Sequence, residues 1–200
     1  MLGESVSSIL IFDSGIGGLS ILEHIHQLPN QLDIHYVADY AAYPYGEKEE
    51  SWLIQRINQL ISQLANEIKP DIIIIACNTA STLALPSLRK QLTIPIVGVV
   101  PAIKTASTLS QNNKIGLLAT PGTIARTYMD NLIQEFANNC IVTRVGSTEL
   151  VNLAEEKLNG NTTSSTQLKS ILQPFIDNNC DYVVLGCTHF PLLEEELNTL

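Results

Sequence analysis

The chain has 200 residues, 45% of them hydrophobic and 16% charged, with a formal net charge of -9. That is enough apolar mass for one ordinary core or two small packed lobes, and the acidic balance excludes a broad basic face for nucleic acid or an anionic membrane. No run reaches the ~18 uninterrupted apolar residues of a membrane span, and MLGESVSS lacks the features of a secretory signal, so a cytoplasmic location is expected.

In chain order, short β-branched runs alternate with longer helical patterns. SILIF is followed by a helix from about Gly17, IHYVA by a helix through Trp52 to Ile68, and DIIIIA, IPIVGVV, KIGLLA, IVTRV and DYVVLG continue the rhythm. Helix-start signals such as Pro101, Gly122 and Ser147 follow these runs, which predicts a mostly parallel sheet covered by helices, with strands apolar on both faces. NGNTTSST at 159–166 reads as a flexible polar loop.

DIIIIACNTAS at 71 and DYVVLGCTHFP at 181 share an Asp, an apolar strand, a small residue and then a Cys at the same spacing. A weaker echo joins ILIFDSG at 9 to IGLLATPG at 115. These repeats predict an α/β fold of two pseudosymmetric, mostly parallel-sheet lobes, residues 1–98 carrying Cys77 and residues 99–200 carrying Cys187. The carboxyl ends of parallel strands form ligand crevices, so both cysteines are expected at one cleft between the lobes.

Four cysteines are present without CxxC spacing, so neither a zinc site nor a disulfide framework is expected. Cys77 and Cys187 each stand after a buried strand and before a helix-opening Thr, where N–H groups should lower the thiol pKa and favour thiolate. Cys140 and Cys180 lead into strands and read as structural. Asp13 is either an N-cap-like group or an acid/base partner, and Ser14 could donate to a substrate carboxylate. Gly15, Gly17 and Gly18 suit either close approach to an anion or a tight turn with φ > 0, without the full dinucleotide or P-loop pattern.

His189 is close enough in sequence to tune the Cys187 thiol. His24, His26 and His35 read as structural or solvated, with no metal-ligand spacing. Asn78, Thr79 and Thr188 can bind an amino acid's carboxylate and ammonium or cap helices. Tyr43, Pro44, Tyr45 and Gly46 read as a gate or simply a loop with aromatic packing. On pattern alone Glu155 and Glu156 belong to a solvated helix face.

Taken together, IFDSGIGGLS, YVADYAAYPYGEK, IIACNTAS, GVVPAIK, GSTELVNLAEEKLNG and VVLGCTHFPLL resemble the glutamate racemases across essentially the whole chain. The resemblance implies a two-domain α/β enzyme without cofactor or metal, supplying D-glutamate for peptidoglycan. It implies Cys77 and Cys187 as catalytic thiols, assisted by Asp13, Glu155 and His189. Asp13, Ser14, Tyr45, Gly46, Asn78, Thr79, Thr188 and His189 are the implied substrate-binding positions. Members of the family continue after GCTHFPLL with a further strand and a VDSG-like segment, whereas this sequence ends in LEEELNTL, so a C-terminal segment is expected to be missing from the first lobe.

Inverting an α-carbon needs one group to remove its proton and another to protonate the opposite face. The repeated cysteines fit that demand for glutamate. Related racemases or isomerases acting on aspartate, hydantoins or maleate are the enzymatic alternatives, and a non-catalytic amino-acid-binding or regulatory module is the alternative of another class. A homodimer and a cell-wall-precursor effector are left open.

Overall fold

The computed structural model describes residues 6–29 and 31–200. The stretch MLGES, part of the segment from which the lack of a secretory signal is read, lies outside them. The chain divides into two units, Met1–Val99 and Val100–Leu200.

In the first unit, β1 (Ser7–Asp13), β2 (Leu32–Ala38), β3 (Ile72–Ile75) and β4 (Ile96–Gly98) form a parallel sheet in the order β2-β1-β3-β4. Parallel neighbours require long crossovers, supplied by α1 (Leu19–His26), α2 (Glu50–Ile68) and α3 (Asn78–Gln91). In α2, Leu53, Ile57, Ile61 and Ala65 recur every fourth residue and are all buried. Glu49 opens that helix by accepting from the Ser51 and Trp52 N–H groups, and Lys69 closes it in the left-handed region.

Strand alternation divides the core. Leu10, Phe12, Ile73 and Ile75 pack with the apolar residues of α2 and α3, while Ile9 and Ile11 pack on the other face with Ile21, Leu22 and Ile25 of α1. Each fully buried Ile or Leu contributes roughly 1.5–3 kcal/mol relative to exposure.

In the second unit, β5 (Lys114–Ala119), β6 (Ile141–Gly146) and β7 (Tyr182–Leu185) are parallel in the order β6-β5-β7. The helices are α4 (Ile103–Leu109), α5 (Pro121–Ile124), α6 (Thr127–Phe136), α7 (Glu149–Leu158), α8 (Ser165–Asp177) and α9 (Glu194–Asn198). Gly116 allows Phe175 of α8 to lie against the central strand, since a Cβ there would stand 2.6 Å from the Phe175 ring.

The seven strands read from the sequence all form, and two details differ. Strands apolar on both faces are expected, yet β6 has no buried residue and Tyr182 and Val183 of β7 are exposed, because β6 and β7 border β5 on its two sides and, among the described residues, no further strand pairs beyond them. The polar loop read over 159–166 is shorter: Ser164 accepts from the Gln167 N–H and α8 starts at Ser165. Among the described residues no helix is long and apolar enough to cross a membrane.

Candidate active site

At the carboxyl edge of the first sheet, β1 delivers Asp13 and β3 delivers Cys77 two residues past its last strand residue. The strands are locked side by side by the Ala76 N–H donating to the Phe12 carbonyl at 2.8 Å. Asp13 is fully buried, and its carboxylate accepts from the backbone N–H of Ser14 at 2.7 Å and of Gly18 at 2.6 Å. It therefore ties the turn to the start of α1 while standing close enough to Cys77 to act on its charge. Ser14, expected to face a substrate carboxylate, has its hydroxyl 3.6 Å from the Cys77 sulfur.

The three glycines of this turn do not adopt positive φ, contrary to that sequence alternative. Gly18 is needed for space: a Cβ would lie 2.8 Å from the Ala76 Cβ and 3.0 Å from the Tyr36 hydroxyl. Tyr36, which the sequence reading passed over, donates from that hydroxyl to the Gly15 carbonyl at 2.9 Å. Burial, reinforced by the Asp13 charge, raises the Tyr36 phenol well above its ordinary pKa, so it remains a donor.

Cys77 is the N-cap residue of α3, and its carbonyl accepts from the Ser81 N–H. The expectation of a lowered thiol pKa is overturned here. Burial pushes the Cys77 thiol up to about 12 and the Asp13 carboxylate adds to the rise, while the hydrogen bonds from Ala80 and Ser14 are the weaker, opposing influence. Asn78 and Thr79 come next, both buried, and the Asn78 side-chain oxygen has no hydrogen-bond partner among the described residues. A buried acceptor without a donor is costly, so a ligand bringing an N–H group would be favoured there.

The loop after β2 holds Tyr45 and Gly46 in a short 3-10 turn, Tyr45–Glu47, that packs against α3. Tyr45 is buried with Cys77 in one apolar cluster, and its hydroxyl donates to Asp39 at 2.7 Å. Asp39 also receives two bonds of 2.6 Å from Arg56. Burial opposes its ionisation, but the bonds from Arg56 and Tyr45 and the guanidinium charge together hold its carboxyl below the ordinary value.

In the second unit, β7 ends at Leu185 and Cys187 again lies two residues on, with the Gly186 N–H donating to the Leu118 carbonyl at 2.7 Å. Thr188 and His189 form a turn into a 3-10 helix, Phe190–Leu193, so this thiol does not stand at the α-helix N-terminus expected for it. This short run, with Pro191 in its first positions where no N–H is needed, leads into α9 at Glu194.

One imidazole nitrogen of His189 lies 3.8 Å from the Cys187 sulfur and the other 2.8 Å from a Glu155 oxygen. Glu155 thus turns inward from α7, correcting the solvated-face reading, while Glu156 on the neighbouring helix azimuth is exposed. Lys157 of the same helix donates to the Leu192 carbonyl at 2.9 Å and Glu196 at 2.8 Å, pinning α7 to the segment after His189.

The end of β5 also carries polar residues that the sequence reading missed. The Thr120 hydroxyl donates to that of Thr123 at 2.9 Å, and buried Arg126 donates to Thr123 at 3.2 Å. ATPG at this strand end, echoing FDSG, was the available signal. Cys140 and Cys180 are partly buried, Cys140 against the second unit's core, away from the strand ends that carry Cys77 and Cys187. His24 and His26 are exposed, and His35 is half-buried beside Asp33. Among the described residues no group of three His, Cys, Asp or Glu side chains is arranged to hold a metal ion.

Two parallel sheets, each presenting a buried thiol with a carboxylate nearby at its carboxyl edge, define a class of two-thiol α/β proteins. The family profile described as Asp/Glu/Hydantoin racemase matches residues 21–200. The glutamate racemase of Vibrio parahaemolyticus is 53% identical over 197 residues, which is 98% of this chain and 72% of that protein. The crystal structure of Escherichia coli glutamate racemase with L-glutamate and the activator UDP-MurNAc-Ala superimposes with a TM-score of 0.91 at 47% identity, covering 97% of this chain and 74% of that one. That of Francisella tularensis glutamate racemase with D-glutamate gives 0.80 at 32% identity, covering 96% and 72%. The chain belongs to the Asp/Glu/hydantoin racemase family, and within it to the glutamate racemases.

Proposed function

We propose that this protein interconverts L- and D-glutamate, with Cys77 and Cys187 exchanging the α-proton, and supplies D-glutamate for peptidoglycan from the cytoplasm. The observation that carries the reading is the placement of a buried thiol two residues beyond β3 and again two residues beyond β7, in a chain about half identical to glutamate racemases.

From D-glutamate, the Cys77 thiolate takes the α-proton and becomes a thiol. Cys187 then gives its proton to the opposite face of the carbanion and becomes a thiolate, yielding L-glutamate. The reverse direction exchanges the roles. The mechanism requires both sulfurs to reach one α-carbon from opposite faces.

The acidity of Cys77 fits such a base. A thiol pushed up to about 12 gives, once ionised, a stronger base than an ordinary thiolate, which narrows the gap to a weakly acidic α-proton. A substrate ammonium bound beside Asp13 and Cys77 favours the charged form of the thiol, so thiolate formation accompanies binding. Asn78, with its unpartnered oxygen, is suited to receive that ammonium. His189, bridging Cys187 to Glu155, is placed to hold or return the proton at the second thiol.

The test is α-hydrogen exchange of D- and L-glutamate, with aspartate alongside, in heavy water without added cofactor. Deuterium uptake with inversion of glutamate alone is expected. Cys77→Ala and Cys187→Ala should each abolish inversion, and inversion by either variant at the wild-type rate overturns the two-thiol reading. The E. coli relative carries UDP-MurNAc-Ala as activator; the same cell-wall precursor is the proposed effector here, read as a rate increase on its addition.

A further inference from the structure

We propose that Arg56 is a positioning residue for substrate, acting through Asp39 on Tyr45 and Gly46; this rests on the racemase function proposed for the two thiols. Arg56 lies on α2, seventeen positions beyond Asp39. Its Nε donates to Asp39 Oδ2 and its Nη2 to Asp39 Oδ1, both at 2.6 Å, a fork that fixes the carboxylate in plane and direction. The guanidinium also lies over the ring of Trp52, one turn earlier, 5.6 Å from its centre.

Asp39 is the junction of this corner. Its backbone N–H donates to the Asp13 carbonyl at 2.9 Å, its own carbonyl accepts from the Ala42 N–H, and its carboxylate accepts from the Tyr45 hydroxyl. One residue thereby ties the turn containing Asp13 and Ser14 to the loop carrying Tyr45 and Gly46. Tyr45 in turn is buried in the cluster that contains Cys77. The ring cannot shift without breaking a bond to a carboxylate that Arg56 keeps ionised, so the fork sets where Gly46 meets substrate.

Lysine cannot reproduce this arrangement, because it offers one point charge in place of two parallel donors. Removing the cation leaves a buried carboxylate that draws only on the Tyr45 hydroxyl and the Ala42 N–H, and loosens its hold on the loop. Misplacement of a binding group by about 1 Å costs on the order of 100-fold in rate.

The experiment measures kcat and KM for both glutamate enantiomers with the full chain carrying Arg56→Met, Arg56→Lys, Tyr45→Phe, and the Met and Phe changes together. Arg144→Met, which breaks a solvent-facing pair with Asp130, is the control for losing an arginine. Arg56→Met is expected to lower kcat/KM roughly 10- to 100-fold, mostly through KM. Arg56→Lys should recover part of the loss. Adding Tyr45→Phe to Arg56→Met should cost less than about twofold more, because both act on one loop.

A folded Arg56→Met with kcat/KM within about twofold of wild type overturns the inference, as do losses that simply multiply in the double variant. Should Arg56→Met fail to fold, the same comparison is made with Arg56→Lys and Tyr45→Phe. Absence of glutamate exchange by the wild type overturns the racemase reading and this inference with it; exchange by wild type with unaltered variants overturns the inference alone.

Discussion

Attack of Cys77 on a small neutral disulfide reports directly on what burial and Asp13 do to the thiol. In the unfolded chain the group starts from 9.0, and in the folded unit it is pushed up to about 12. At about pH 8 the thiolate fraction therefore falls from roughly one in ten to roughly one in ten thousand, a factor of about 1,000. A more basic thiolate is also a better nucleophile, with a Brønsted coefficient of about 0.4–0.5, which restores a factor of roughly 15–30. The net chemical slowing is then roughly 30- to 60-fold, and steric protection of a thiol only 5% exposed adds to it.

The pH profile separates the two contributions. Protection by burial scales every rate equally, whereas a raised pKa makes the folded rate keep climbing about tenfold per pH unit where the unfolded rate has flattened above about pH 9. The assay is mass spectrometry of the Cys77 peptide after timed reaction, folded against urea-unfolded protein. Asp13→Asn should move the inflection down, because the Asp13 charge contributes to the rise. A plateau in the folded protein below about pH 9 would refute the reasoning and restore a preformed thiolate. Linkage runs the same way: the folded pKa is above the unfolded one, so the stability contribution is complete below pH 9.0 and is lost as pH rises from there towards 12.

Two further predictions concern neighbours of the thiols. Glu155→Gln keeps the shape beside His189 but removes the charge, and should lower kcat about 10- to 100-fold with circular dichroism unchanged, while Glu156→Gln stays at the wild-type rate. Wild-type kcat in Glu155→Gln removes that carboxylate from the proton path. Gly18→Ala places a methyl group 2.8 Å from Ala76 and should cost about 1–3 kcal/mol in chemical denaturation; an unchanged midpoint would show that the turn yields easily.

The strands were legible because they are short runs rich in apolar residues between turn and helix signals, and the all-isoleucine Ile72–Ile75 is the plainest of them. The closeness of Glu155 to His189 came from resemblance alone, since periodicity cannot choose between adjacent glutamates when about 100° of helix rotation decides which one faces inward. Asp39 and Arg56 were illegible: a charge after a strand and another on an amphipathic helix look solvated until the fold brings them within 2.6 Å. Tyr36 was hidden for the same reason, its partner Gly15 lying twenty-one positions away. The thiol acidity was misjudged because the expectation counted helix N–H groups and omitted burial and the carboxylate arriving from β1, which outweigh them.

The strand registers make the two thiol sites comparable residue by residue, and their side chains differ at matched positions. The Phe12 carbonyl receives the Ala76 N–H as the Leu118 carbonyl receives the Gly186 N–H. The Asp13 carbonyl receives the Asp39 N–H as the Ala119 carbonyl receives the Ser147 N–H. Asp13 therefore corresponds to Ala119, and Cys77 to Cys187, so the carboxylate flanking the first thiol has no counterpart on the second sheet's central strand. Two residues beyond the cysteines the situation reverses, with Thr79 in the first unit and His189, backed by Glu155, in the second. Each unit thus has one carboxylate near its thiol, Asp13 of β1 acting on Cys77 and Glu155 of α7 reaching Cys187 through an imidazole. A racemase with an equilibrium constant of one needs no chemical symmetry between its two bases, only equal transition-state access from both enantiomers; on the proposed two-thiol reading, the duplicated backbone supplies the placement and the differing side chains set how each proton is held.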